Sequence, residues 1–518
     1  MIGQTQRSVL VTEAEVAPAA VTVRGAGTES GSILDGMLTV GERREIPRDS
    51  LERLLQARTV REGLTAFFSG AIPERRSEIS DLLNRTVAVI DRLLQEQINV
   101  ILHHPRFQHL EAAWRNLRYV VDCVDPDGPG KALIRVLDCS KSELFRDLDR
   151  AVEFDQSQTF DKIYSQEFGM AGGQPYGLLI GNYEISSHPD DVSLLANMSG
   201  VAAASFAPFV CAASPQILGL DSFRELERVT DFDRTFDPRI NPQFTTWNSL
   251  RDSEDSRFVG LVMPRVMLRR PYRDDPSRSD GFLFAENWDR STSEDSLWGN
   301  GAFSVGEVAI RSYQQNGWLA NIRGVVPGRE EGGVIAGLPE NWFDTDARGL
   351  VAKPVTDVVV SESQERALCE AGFISMCHCP GTSLAAFYSV PSIQRPRKYD
   401  TNEASANARI SGMLQYMLCV SLFARNIKVM TRDRIGSYAE AYECESDLNN
   451  WVAAYVTPSD DASPEVKARY PLREAKIEVR PHSSRPGVYS CTFHLQPHYE
   501  LDDLTASVKL QTEFLAQR

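Results

Sequence analysis

The sequence predicts an α/β protein with helices packed on mixed sheets, and three observations carry that prediction. Apolar residues recur at helical steps from Ile79 to Ile98, through Leu82, Leu83, Val87, Ile90, Leu93 and Leu94. Two apolar runs, "YGLLIG" from Tyr176 and "PFVCAAS" from Pro208, flank a segment that opens with polar capping residues and then turns apolar. That order is the signature of a β–α–β unit and hence of a parallel or mixed sheet. The end of the chain reads as strands at Ala475–Arg480, Val488–Gln496 and Thr505–Phe514.

The bulk numbers set the frame. A chain of 518 residues exceeds what a single core supports, so two or more domains are expected. The apolar fraction of 42% is that of a globular protein with a sizeable core. A formal charge of −16 argues against a surface for non-specific nucleic-acid binding. The opening "MIGQTQRSVL" lacks the apolar run of a secretory signal. The longest apolar stretches, Gly200–Ala213 and Met413–Ala424, are too short to span a bilayer, and Pro208 interrupts the first. Nine cysteines without such a signal point to reduced thiols in the cytosol.

Element by element, residues 1 to 47 are poor in large apolar groups and read as an arm that orders against a partner. Gly25, Gly27 and Gly31 are misplaced for a dinucleotide loop, and no strand–turn–helix unit surrounds them. His104-Pro105 ends the first long helix, and Pro105 opens the next with Phe107, Leu110, Trp114 and Leu117 on one face. Strands are expected at Leu133–Leu137 and Tyr176–Ile180, then a helix from Ser187 towards Pro208 and a buried strand after it. Arg251–Leu268 reads as a charged turn and an apolar strand, Leu297–Ile310 as the start of a helix, and Trp318–Val325 as another strand. A helix over Ala404–Ala424 is followed by Asn426–Thr431 and by a helix at Ser437–Val456.

Chemistry is harder to find. The sequence contains no nucleophile elbow, phosphate loop, H-E-x-x-H or EF-hand pattern. Cys377-His378-Cys379 is a candidate metal or redox site, but no second ligand pair lies elsewhere, and the Pro380-Gly381 that follows ends a strand. Those thiols read as small hydrophobes in a core. His103, His104 and His109 sit at a helix corner and read as packing, since adjacent residues cannot share a helix face. Glu184, His188, Asp190 and Asp191 can be drawn as a hydrolytic cluster, yet they precede a helix, where such groups cap N–H donors. No catalytic, cofactor-binding or metal residue is therefore assigned. The cytosolic hydrolase built on Glu184, His188 and Asp190 stays as the rival reading.

Several segments together resemble one family. They are "ILHHPRFQHLEAAWRNLRYVV" (101–121), "GLLIGNYEI" (177–185), "FAPFVCAASPQILGLDSF" (206–223) and "SLRDSEDSRFVGLVMPRVMLRRPY" (249–272). Further on come "SLWGNGAF" (296–303), "IQRPRKYD" (393–400) and "LNNWVAAYV" (448–456). From about residue 60 to 518 the chain resembles the large subunit of the contractile sheath of bacterial type VI secretion systems, the VipB/TssC family. A sheath of another phage-tail-like contractile particle is the neighbouring alternative.

The resemblance implies a non-enzymatic, cytoplasmic subunit that needs no cofactor. It implies a phage-tail-sheath-like inner part and an outer part shared with a small sheath subunit. The implied partners are that small subunit, neighbouring copies of the chain, an inner tube protein and a baseplate, with no nucleic acid and no membrane insertion. A recycling AAA+ ATPase is implied to act mainly through the small subunit. The implied division is an arm over 1–60, an N-terminal region over 61–372 and a C-terminal region over 373–518. In the last strand Val508, Leu510, Thr512 and Phe514 alternate with polar residues, as suits an inter-subunit edge that accepts a strand from a neighbour's terminal arm.

Overall fold

The computed structural model describes residues 53, 55–68, 75–128, 130–170, 172–229, 232–273, 282, 284–287, 296–325, 331–339, 354–382, 384–433, 441–459, 462–481 and 489–498. The glycines at 25, 27 and 31 and the strand at 505–514 lie outside these residues. The chain divides into two compact units, Met1–Ile98 with Asp274–Phe284, and Asn99–Arg273 with Ala285–Arg518.

In the first unit, α1 (Val60–Phe67) is capped by Thr59, whose side chain accepts from the Glu62 N–H. The long α2 (Arg76–Leu102) begins there and follows the apolar period of the sequence, yet none of its residues is buried. Its Leu82, Val87 and Leu94 are exposed. Helical period alone does not say whether a stripe meets its own chain or another.

The second unit holds the main sheet. Helix α3 (Pro105–Asp122) starts where Pro105 was expected to start it, with His104 as the cap. Next come α4 (Lys141–Arg150), β1 (Leu179–Ile185), α5 (Pro189–Ser205) and β2 (Phe209–Ala213). They are followed by α6 (Thr245–Arg251), β3 (Val259–Met263), β4 (Val266–Arg269), β5 (Leu297–Gly299) and α7 (Ala302–Asn316). Then come β6 (Val334–Ile335), α8 (Glu362–Glu370), β7 (Phe373–His378) and β8 (Ala385–Phe387). The remaining elements are α9 (Asn402–Ser411), α10 (Leu414–Asp433), α11 (Ala441–Ala453), α12 (Pro464–Arg469), β9 (Leu472–Pro481) and β10 (Tyr489–Pro497).

Six strands form one sheet in the order β1-β2-β3-β7-β8-β6. The first four run parallel, and β8 and β6 close the far side antiparallel. The β1–α5–β2 crossover is the β–α–β unit expected from the sequence. Its strands read as unbroken apolar runs because both faces are covered. Phe209, Cys211, Leu261, Phe373 and Cys377 face a core shared with α5, α6 and α8. Val210, Val262, Ile374 and Met376 face the opposite core with α7, α10 and α11. In that second core Trp318 stacks on Phe423 at 3.9 Å, with Trp451 and Tyr455 edge-on. The β9–β10 hairpin is bound to α11 through Asn449, which accepts from Ile477 N–H at 3.0 Å and donates to its carbonyl at 2.8 Å.

Several expectations need correction. Leu133–Leu137 forms no strand and pairs with nothing among the described residues. Trp318–Val325 is irregular, because Trp318 and Leu319 turn into the core instead of alternating across a sheet. The helix over Ala404–Ala424 is two helices broken at Gly412–Met413, and 426–431 continues the second. The strand at Tyr176–Ile180 lies a few residues later, as β1.

Candidate assembly surface

Helix α3 explains why a large concavity lies beside it. Its small or polar residues, Ala112 and Asn116, face inwards with Val120. The large residues on the predicted face, Phe107, Leu110 and Trp114, point outwards, and Trp114 is 66% exposed. Most of the apolar face marked by the sequence therefore lies open. Helix α3 is held in place by a buried charge cluster: Arg269 on β4 donates to Glu111 on α3 at 2.9 Å and also to Glu286. His103 Nε2 lies 3.1 Å from the same Glu286 carboxylate. The three corner histidines thus do separate jobs. His103 joins the cluster, His104 caps α3, and His109 lines the concavity.

That concavity is a groove of about 1560 Å³. Small-molecule sites run to roughly 1,000 Å³ at most, so its scale suits a polypeptide. Leu110 and Trp114 form part of one wall, with Leu133, Val136 and Leu137 on another. All five are among the most exposed large apolar side chains of the chain. A contiguous apolar patch of this kind marks an interaction site. The segment Lys131–Cys139 runs without turn or bend, and among the described residues its backbone from 131 to 138 makes no hydrogen bond. It is tied down at side chains instead, by Arg135 to Glu167 and by the Tyr183 hydroxyl, which donates to the Cys139 carbonyl at 2.7 Å.

Across the groove lies β1, the edge strand of the main sheet, through Leu178, Ile180 and Asn182. A bulge between Ile180 and Glu184 turns backbone carbonyls away from β2, and Asn300 donates to those of Gly181 (3.0 Å) and Tyr183 (3.4 Å). Gly181 is needed there, because a Cβ would sit 2.6 Å from the Phe209 ring. Two polar groups in the lining are poorly served. Buried Asn116 has no partner for its amide oxygen or nitrogen among the described residues. Arg425 donates to the Pro175 carbonyl at 3.0 Å and has no acidic partner among the described residues. Burial pushes its guanidinium below the ordinary value. Sequence reading missed both, since nothing local marks a polar side chain that the fold will bury without a matching partner.

The residues weighed for catalysis serve structure. His188 caps α5, accepting the Asp190 N–H at Nδ1. Asp191 accepts from the Ser186 N–H and hydroxyl and pairs with Lys141 at 2.7 Å. Burial acts to raise its carboxyl, but those donors outweigh it and hold it below the ordinary range. Glu184 offers its backbone carbonyl to Lys141. These contacts use the cluster to start a helix and attach α4 to β1. Cys377 is buried on β7, where burial pushes its thiol up to about 12. Cys379, just past the strand, is also raised by burial. Burial thus disfavours the thiolate at both positions, which makes them poor redox nucleophiles.

A doubly covered sheet that carries an apolar, strand-edged groove suits an assembly subunit. Residues 84–394 match the family model described as EvpB/VC_A0108, tail sheath N-terminal domain. Residues 403–514 match the tail sheath gpW/gp25-like domain of the same description. The chain belongs to this VipB tail-sheath family. It is 39% identical over 427 residues to the type VI secretion system sheath protein TssC1 of Pseudomonas aeruginosa, covering 82% of this chain and 84% of that one. Among solved structures, a chain of the anti-feeding prophage baseplate aligns over 75% of this chain and 84% of its own, at 11% identity and a TM-score of 0.35. A chain of the contracted anti-feeding prophage sheath aligns over 63% and 66%, at 9% identity and a TM-score of 0.29. Neither of these two is close enough to carry an argument. The described helices include none long and apolar enough to cross a membrane.

Proposed function

We propose that the chain is the large subunit of a type VI secretion sheath, built in the cytoplasm from heterodimers with a small sheath subunit. The heterodimers stack around an inner tube on a baseplate, and contraction drives the tube outwards. The chain acts as a mechanical element and not by catalysis. The observation that carries the pairing is the apolar groove between α3, Lys131–Cys139 and β1. A lone chain would leave Trp114, Leu133 and Val136 in water, and an obligate partner would cover them.

Neighbouring copies are joined at the other end of the chain. The β9–β10 hairpin is a two-stranded sheet with edges to which a neighbour's strand can add. We assign the terminal strand with Val508, Leu510, Thr512 and Phe514 to the sheet that receives a strand from a neighbouring copy. Expression with and without a small sheath subunit, followed by negative-stain microscopy, tests the reading. Long hollow tubes are expected only from the pair. A monodisperse folded monomer from the chain alone, with no tubes from the pair, would sink it.

A further inference from the structure

A second, much smaller cavity of about 60 Å³ lies where β10 ends. Four stretches of chain meet there. Arg323 follows α7, Gln415 opens α10, Lys467 stands on α12 and His498 follows β10. Three of these four side chains are basic, and no aspartate or glutamate lines the cavity among the described residues. In a chain of net charge −16 that composition is unlike the rest of the molecule. Basic groups gathered around one small space repel one another once charged, and an anion among them reverses the sign of that interaction.

Three further observations point to a ligand. Gln415 is only 6% exposed, and its amide oxygen is buried without a hydrogen-bond partner among the described residues. Such an acceptor is costly to bury unserved, so a donor in the cavity is favoured. Gln415 also lies in the first turn of a 20-residue helix, whose N-terminal end attracts negative charge. The Lys467 ammonium makes no hydrogen bond or ion pair among the described residues, which leaves its donors for a ligand. Size then sets the class. One water-sized group needs roughly 10–15 Å³, so the cavity holds about four to six of them. That matches the four oxygens of a tetrahedral oxyanion and is too small for a nucleotide. We propose that the cavity binds inorganic phosphate, with Lys467 and Arg323 on its charge and the Gln415 oxygen accepting from its P–OH. Sulfate has the same shape and charge sign but no proton at neutral pH, so an acceptor in the lining discriminates against it. Bound phosphate would tie the end of the hairpin to α10 and α12.

Equilibrium dialysis of the purified full-length chain, with its small subunit where solubility requires it, measures binding of radiolabelled inorganic phosphate at constant ionic strength. One saturable site per copy of this chain is expected. Lys467→Gln should weaken it about tenfold or more, the scale of one hydrogen bond to a charged group. Arg469→Gln, on the same helix but outside the lining, should bind as the wild type does. Sulfate should bind about fivefold more weakly or worse, and adenosine monophosphate should not compete. Phosphate should also raise the melting temperature of the wild type but not of Lys467→Gln. A readout without any variant is labelling by an amine-reactive ester, followed by peptide mass spectrometry. Phosphate should slow labelling of Lys467 and leave that of Lys476 on β9 unchanged. No saturable binding, unchanged binding in Lys467→Gln, competition by adenosine monophosphate or unprotected Lys467 each overturns the site. Sulfate binding as tightly as phosphate overturns the choice of a protonated anion.

Discussion

Replacing Arg269 by Met removes the cation at the centre of the cluster that anchors α3. Its guanidinium donates to Glu111 at 2.9 Å and to Glu286 at 3.1 Å through Nη2, and lies 4.4 Å from the centre of the Tyr272 ring. The side chains of Arg269, Glu286 and Glu111 are only 7%, 2% and 12% exposed. Methionine fills much of the arginine stem's volume, so the loss falls on the charges. Glu111 keeps Arg115 at 2.8 Å, whereas among the described residues Glu286 keeps His103 and the Tyr272 N–H. An uncompensated buried carboxylate costs about 3–5 kcal/mol. At roughly 2 °C per kcal/mol, the low end for large domains, the heterodimer should melt at least ~6 °C lower. Scanning fluorimetry at neutral pH measures this. Since α3 carries Leu110 and Trp114, the variant should also bind its small subunit less tightly. Arg269→Met with Glu286→Gln removes the orphaned charge and should recover at least half of the loss. A fall of less than ~2 °C, or a double variant no better than the single one, would refute the account of the cluster.

Three further outcomes are expected. Leu510→Pro should abolish long tubes in negative stain while the heterodimer survives, since proline removes a donor from the receiving sheet; full-length sheaths from this variant would exclude that assignment. Stability should fall with acidification below about pH 4, because Asp191 and Glu286 are held below their ordinary values in the fold and not in the unfolded chain. Their contribution is complete above the unfolded value and disappears as pH drops through the folded one, so Asp191→Asn should flatten the melting curve against pH between 5 and 3. Elemental analysis should find no stoichiometric zinc, and Cys377→Ser with Cys379→Ser should still assemble; one zinc per chain lost in that variant would restore the metal site.

Short-range physics made the β–α–β unit, the break at His104-Pro105, the capped start of α5 and the β9–β10 strands legible, because period, proline and caps act within a few residues. The same local rules identified Glu184, His188, Asp190 and Asp191 as a helix start. They misled at Leu133–Leu137, an apolar run that reads as a strand yet pairs with no other strand among the described residues. They also misled at Leu110 and Trp114, whose helical spacing defines a face without saying what covers it. Only the tertiary structure brought α3, 131–139, β1 and Arg425 around one groove, since they come from four separate stretches of the chain. Burial without a counter-charge, as at Arg425, is a property of that arrangement and leaves no local mark in the sequence.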